Sequence, residues 1–124
     1  MSETVAIVGS RPPKGNDSAW IDAVTDKVWD VMDALPAGTM IVTGGAKGVD
    51  MIAEDIAAQG DFKAYVFYPD WDTHGKSAGA IRNKRIVVAA DRVIAFWDGK
   101  SKGTKITIDM ARRAGKPVQI VEIP

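Results

Sequence analysis

Short apolar runs alternate along this chain with longer stretches in which apolar residues recur every three or four positions. Thr4–Val8, ended by Gly9, is a continuous run typical of a strand buried on both faces. Ile21, Val24, Val28, Met32 and Leu35 then recur at helical spacing, with Asp17 or Ser18 as a cap and Pro36 and Gly38 as terminators. Trp20 and Trp29 fall off that stripe and are expected at the core margin or in a dimer interface. Thr39–Thr43 is a second strand, broken by Gly44 and Gly45. Val49, Ile52, Ala53 and Ile56 mark a second helix with Gly60 as its C-cap. Ala64–Tyr68 is a third strand stopped by Pro69, and residues 70–76 read as loop. A helix from Ser77 to about Ala90, a strand Arg92–Trp97, a helix over 103–114 and a strand Val118–Ile123 complete the order.

Strict alternation of strands and helices with short loops implies parallel strands and right-handed crossovers. The expected fold is α/β: a Rossmann-like, doubly wound, parallel five-stranded sheet with helices on both faces, one domain over residues 1–124. Ligands of such sheets sit beyond the carboxyl ends of the strands, where the strand order reverses. With the order 3-2-1-4-5, the ends of the first and fourth strands line that crevice.

Composition narrows the chemistry. The content is 46% hydrophobic and 26% charged, ordinary for a soluble globular protein. Cysteine is absent and His74 is the single histidine, so thiolate metal sites are excluded and a dedicated metal centre or cofactor is not expected. No run approaches the roughly 18 apolar residues of a membrane span, and a signal-peptide pattern is lacking, so a cytoplasmic protein is expected. The formal net charge is zero, yet residues 1–60 carry 4 basic and 9 acidic side chains while residues 61–124 carry 12 basic and 7 acidic. A basic half fits a local anionic site better than a surface that tracks nucleic acid, whose binders show a domain-wide basic excess.

Residues able to serve such a site cluster at the strand ends. Gly9, Ser10 and Arg11 follow the first strand; Gly44, Gly45, Lys47, Gly48 and Asp50 follow the second. Trp71 follows the third, and Trp97, Asp98, Gly99, Ser101, Gly103 and Thr104 follow the fourth. Glycine admits close backbone approach, and helix starts after Gly45 and around Gly103 offer unpaired N–H groups to an anion. Arg82 and Asn83 on the intervening helix supply a guanidinium and an amide. Each has a plainer reading: tight turns for the glycines, a surface turn for Ser10 and Arg11, an N-cap for Thr104, core aromatics for Trp71 and Trp97. Asp50 is either a dipole-stabilised surface carboxylate or a partner for Arg11. Three familiar signatures fail: no Gly-x-Gly-x-x-Gly follows the first strand, Gly75-Lys76-Ser77 lacks the glycine a Walker A loop needs where Asp70 stands, and no Gly-x-Ser-x-Gly elbow exists.

Together, residues 7–11 (IVGSR), 43–50 (TGGAKGVD), 78–83 (AGAIRN) and 97–104 (WDGKSKGT) resemble the SLOG superfamily, which unites Smf/DprA DNA-uptake proteins with LOG phosphoribohydrolases, and within it the small YspA-type branch of bacteria and phages. The resemblance covers nearly the whole chain and implies a Rossmann-like fold, frequent homodimerisation and a site for a nucleotide or nucleotide-derived ligand. Against the LOG pattern, Arg82 matches the catalytic arginine, Asn83 and Ile86 replace a lysine and a methionine, and Gly103-Thr104 match the phosphate-cradling pair. Thr107 stands where the catalytic glutamate belongs. Cleaving an N-glycosidic bond builds positive charge on the sugar, so a carboxylate is expected there; Asp98 and Asp50 are the available substitutes. The reading favoured by sequence is a ligand-binding protein, a sensor or sequestering factor in bacterial or phage conflict, with Asp98 at the ribose and Trp71 or Trp97 over the base. The alternatives are a metal-independent phosphoribohydrolase using Arg82 and Asp98, and single-stranded DNA binding, which the neutral charge and small size argue against.

Overall fold

The computed structural model describes residues 3–14, 18–60 and 62–124. Five strands, β1 (Thr4–Gly9), β2 (Met40–Thr43), β3 (Lys63–Val66), β4 (Arg92–Trp97) and β5 (Val118–Glu122), form one parallel sheet in the order β3-β2-β1-β4-β5. This is the anticipated order, with its reversal between β1 and β4. Val8 pairs with Ala95 and Gly9 with Phe96, so the two central strands end level.

The helices are α1 (Ser18–Asp33), α2 (Val49–Gln59), α3 (Trp71–His74), α4 (Ala78–Ala89) and α5 (Lys102–Arg113). Side chains of a strand alternate between faces, and the two faces differ in size. Val5, Ile7, Ile41, Ile94 and Phe96 pack on one side with Val24, Val28 and Met32 of α1 and Ala53 and Ile56 of α2. Ala6, Val8, Val42, Val93 and Ala95 pack on the other with Ile86 and Val87 of α4 and Ile108 and Ala111 of α5. The chain therefore changes face after β3, which opens the crevice between β1 and β4.

Several local expectations are corrected. Residues 70–76 are not loop: α3 and a 3-10 turn over Gly75–Ser77 occupy them. Asp70 caps α3 by accepting a hydrogen bond from the Thr73 amide at 3.1 Å, an Asp-x-x-Thr start hidden by the lack of an apolar repeat. On α1 the buried stripe is Trp20, Val24, Val28 and Met32, while Ile21 is 40% exposed. Trp20 enters the core because its indole Nε1 reaches the Pro124 carbonyl at 3.1 Å, whereas Trp29 stays exposed. The Asp17 cap lies outside the described residues. Gly60 does end α2, but in extended backbone rather than a left-handed turn. β3 starts at Lys63 and stops at Val66, two residues before the expected end, as an exposed edge strand.

Candidate functional site

A cavity of about 260 Å³ opens at the carboxyl ends of β1 and β4. Gly9, Ser10 and Arg11 form its floor, Arg82, Asn83 and Ile86 of α4 one wall, and Ser101, Gly103, Thr104 and Thr107 the other. Ala46 and Asp50 close it from the β2–α2 side. Of the sequence-derived set, Gly9, Ser10, Arg11, Asp50, Arg82, Asn83, Ser101, Gly103 and Thr104 line this one cavity, and the other members do not.

The floor is fixed by the sheet. The Ser10 amide continues the ladder to the Phe96 carbonyl at 3.0 Å, and Ser10 Oγ accepts from the Asp98 amide at 3.3 Å. Ser10 is 2% exposed and ties the end of β1 to the end of β4. Its neighbour Arg11 is exposed and lines the cavity.

The β2–α2 connection is built around Asp50. Its Oδ2 accepts from the amides of Gly44 at 3.1 Å and Ala46 at 3.2 Å, which folds the turn back onto the first residues of α2. Asp50 is 6% exposed, so the surface-carboxylate reading is corrected, and its partners are amides rather than Arg11. Burial pushes its pKa up to about 6; the Ala46 and Gly44 amides and the Arg82 charge pull it down, and Glu54 adds to the rise. Glu54 itself accepts from Thr43 Oγ1 at 2.6 Å. Gly48 turns the chain into α2 at φ +92, where a Cβ would stand 2.8 Å from the Ser10 carbonyl oxygen.

Arg82 donates from a terminal guanidinium nitrogen to the Gly44 carbonyl, and its Nε donates to Asn83 Oδ1 at 2.8 Å. The approach is so close that a Cβ on Gly44 would lie 2.6 Å from that nitrogen. Burial lowers the Arg82 pKa, Asp50 opposes the fall and Arg11 adds to it. A guanidinium keeps its charge through such shifts, so the cavity retains two cations.

The last wall is the start of α5. Its first amides have no partner within the helix and face an anion with the positive end of the helix dipole. Ser101 is the N-cap position, and Thr104, expected there, sits inside the first turn at 6% exposure. Thr107 Oγ1 donates to the Gly103 carbonyl at 3.3 Å, so the residue replacing the anticipated glutamate presents a cavity wall without a charge.

Asp98 is not where the sequence reading set it. Its Oδ1 accepts from the amides of Lys100 and Ser101, both at 2.8 Å, and its Oδ2 from Ser101 Oγ at 3.0 Å. Burial raises its pKa, but those bonds outweigh it and hold the carboxyl below the usual range. It is a staple for the β4–α5 turn, outside the cavity wall, and unsuited to a general acid. Trp97 also leaves the site: its Nε1 donates to the Ser101 carbonyl at 3.0 Å and its ring packs on the α4–α5 core. Trp71 is 57% exposed on α3, beside Gly79 and off the cavity wall. Gly44, Gly45, Lys47, Gly48 and Gly99 shape the approaches without lining the cavity. Sequence reasoning missed Val8, Ala46, Ile86 and Thr107 as lining residues; Ile86 carried a signal, since it lies four residues after Arg82 on the same helix face. Among the described residues no group of three or more His, Asp or Glu could hold a metal ion.

Comparison with known proteins agrees with this fold. Similar chains include the Gene 61 protein of Mycobacterium phage D29, 38% identical over 120 residues and 92% of each chain. Among solved structures, DNA processing protein A (DprA) of Streptococcus pneumoniae superposes with a TM-score of 0.70 at 22% identity, over 96% of this chain and 50% of that one. DprA of Helicobacter pylori, described with a unique single-stranded DNA binding mode, gives 0.68 at 23% identity, over 95% of this chain and 64% of that one. The chain spans half to under two thirds of the DprA chains it matches, and at these identities the likeness establishes the fold. The model of the YspA, cpYpsA-related SLOG family (YAcAr) matches residues 4–74, more than half of the sequence, and the chain belongs to that family.

Proposed function

We propose that the chain binds a nucleotide or nucleotide-derived ligand in the cavity between β1 and β4. The observation that carries this reading is the convergence of Arg11, Arg82 and the first turn of α5 on one cavity at the reversal of strand order. Two guanidiniums and a helix N-terminus form a phosphate subsite, and Asn83 stands beside them for phosphate or sugar. Calorimetric titration with adenosine, cytidine and guanosine 5′-monophosphates tests it, together with mass spectrometry of small molecules that co-purify. Absence of binding by every nucleotide, and nothing co-purifying, sinks the reading.

A second reading is hydrolysis of the N-glycosidic bond of that ligand without a metal. Asp50 favours it: a buried carboxyl on the cavity wall, with a pKa raised to about 6, supplies the charge that Thr107 does not. Incubation with AMP, CMP, GMP or NAD and assay of free base distinguishes an enzyme from a binder. Release that vanishes in Asp50→Asn supports the enzyme; intact ligand at high protein concentration removes it.

Single-stranded DNA binding draws support from the shared fold with H. pylori DprA. It predicts affinity that falls steeply with salt and is not displaced by mononucleotides. The nucleotide reading predicts displacement, because one phosphate subsite serves both.

The biological role we favour is cytoplasmic: a sensor or sequestering factor in conflict between bacteria and phages, in line with the phage relative. No helix among the described residues is long and apolar enough to cross a membrane. Pairing of two copies fits the apolar groove at Phe67, Ile81 and Val88, and light scattering after size exclusion tests it.

A further inference from the structure

The phosphate reading leaves one polar group of the cavity without a task. Asp50 lines the wall, yet both of its hydrogen bonds end on Oδ2. Among the described residues no hydrogen bond reaches Oδ1. None of their side-chain oxygens or nitrogens is both sealed from solvent and unpartnered. Oδ1 is therefore an open acceptor, and its residue faces the cavity.

The ligand group it can take is limited by chemistry and by space. A carboxylate repels a phosphate and needs a hydroxyl or amino donor. Pockets that enclose a whole small ligand run from about 300 Å³ upward. At about 260 Å³ this cavity holds a phosphate and the group next to it, and in a nucleotide that group is the sugar. The rival carboxylate, Asp98, has both oxygens engaged in its own turn and lies off the wall.

We propose that Asp50 Oδ1 accepts a hydrogen bond from a sugar hydroxyl of the bound nucleotide, so that the cavity selects ribonucleotides over their deoxy counterparts. This rests on the nucleotide reading and assigns the sugar within it. The charged groups around Asp50 are Glu54 on its own helix and Arg82 on α4, with Arg11 acting in turn on Arg82. With a pKa of about 6, Asp50 is ionised at pH 7.5 and a strong acceptor there.

The test is calorimetric titration at pH 7.5 with adenosine, cytidine and guanosine 5′-monophosphates and their 2′-deoxy and 3′-deoxy forms. Loss of a hydrogen bond to a charged acceptor predicts that at least one deoxy form binds roughly ten-fold or more weakly. Asp50→Asn keeps a carbonyl for the Gly44 and Ala46 amides and is expected to cut that preference below about three-fold, given the weaker neutral acceptor. Should this variant fail to fold, the wild-type preference at pH 7.5 and its decline at pH 5 carry the same test. Equal binding of all forms by the wild type overturns the sugar assignment and leaves the phosphate subsite standing. A preference erased by Asp98→Asn but kept in Asp50→Asn also overturns it. Absence of binding by any nucleotide removes both readings.

Discussion

Asp50 and Arg82 hold Gly44 from opposite layers of the sheet. Asp50, on α2, accepts from the Gly44 amide at 3.1 Å, while Arg82, on α4, donates to the Gly44 carbonyl. Because α2 and α4 pack on different faces, this one residue joins both layers at the mouth of the cavity. The guanidinium that is to meet the ligand is thus oriented by the backbone.

Arg82→Ala is expected to act twice. It removes a cation of the phosphate subsite, which predicts a loss of nucleotide affinity of roughly ten-fold or more. It also removes a hydrogen bond from a charged donor to the carbonyl of buried Gly44, at a stability cost of about 1–3 kcal/mol. Titration calorimetry and urea denaturation read the two effects separately. Weakened binding with unchanged stability means that the Gly44 contact contributes nothing to folding.

Asp50 gives the protein a pH dependence whose sign follows from its raised pKa. The folded value of about 6 lies above the ordinary 3.8, so the native state holds more protons than the unfolded chain between these values. The contribution is fully present below about pH 4 and is lost as pH rises through about 6. Asp50→Asn stays neutral at every pH, as the protonated carboxyl is in acid, and is expected to be more stable than the wild type at pH 7.5, by on the order of 1–3 kcal/mol. The gap closes toward pH 4. Denaturation of both proteins across this range checks the trend, and a gap that widens on acidification contradicts it. Comparing the pair matters, since Asp70, Asp98 and Asp109 have lowered values and act in the opposite sense.

Asp98 is expected to matter for folding of the β4–α5 turn and only indirectly for the ligand. Asp98→Ala deletes the acceptor of three hydrogen bonds at a partly exposed position. A cost of about 1–2 kcal/mol follows, as for loss of a helix cap. Asp98→Asn retains one carbonyl oxygen and is expected to recover more than half of that. If Asp98→Asn costs as much as Asp98→Ala, the charge itself stabilises the turn.

Most of the fold was legible because the strands of a sheet covered on both faces are continuous apolar runs, as in Thr4–Val8 and Arg92–Trp97. Their order and the face change after β3 then placed Ser10, Arg11, Arg82, Gly103 and Thr104 at one crevice. What the sequence hides is side-chain partnership. Asp50 and Asp98 look alike as acidic residues near helix starts, yet Asp50 turns into the cavity while Asp98 is consumed by its own turn. Trp97 ends β4 and Trp71 follows β3, but the indole of Trp97 is held by the Ser101 carbonyl and Trp71 is carried outward by a helix of four residues. No periodicity records which backbone group a side chain will find.

Two glycines at the site separate shape from space. Gly48 has φ +92, and a Cβ there would meet the Ser10 carbonyl at 2.8 Å, so Gly48→Ala is expected to destabilise by about 1–3 kcal/mol. Gly103 lies inside α5, with nothing within 4 Å of an added Cβ. Alanine is the better helix former by about 0.5–1 kcal/mol, so Gly103→Ala is expected to stabilise the protein by that amount. The added methyl projects into open space on a residue of the cavity wall, where the phosphate reading needs close backbone approach. Nucleotide affinity is therefore expected to fall several-fold while the melting temperature rises, the opposition found where a site keeps a residue that folding does not prefer. A rise in stability with unchanged affinity places the phosphate away from the first turn of α5 and leaves Arg11 and Arg82 as its only holders.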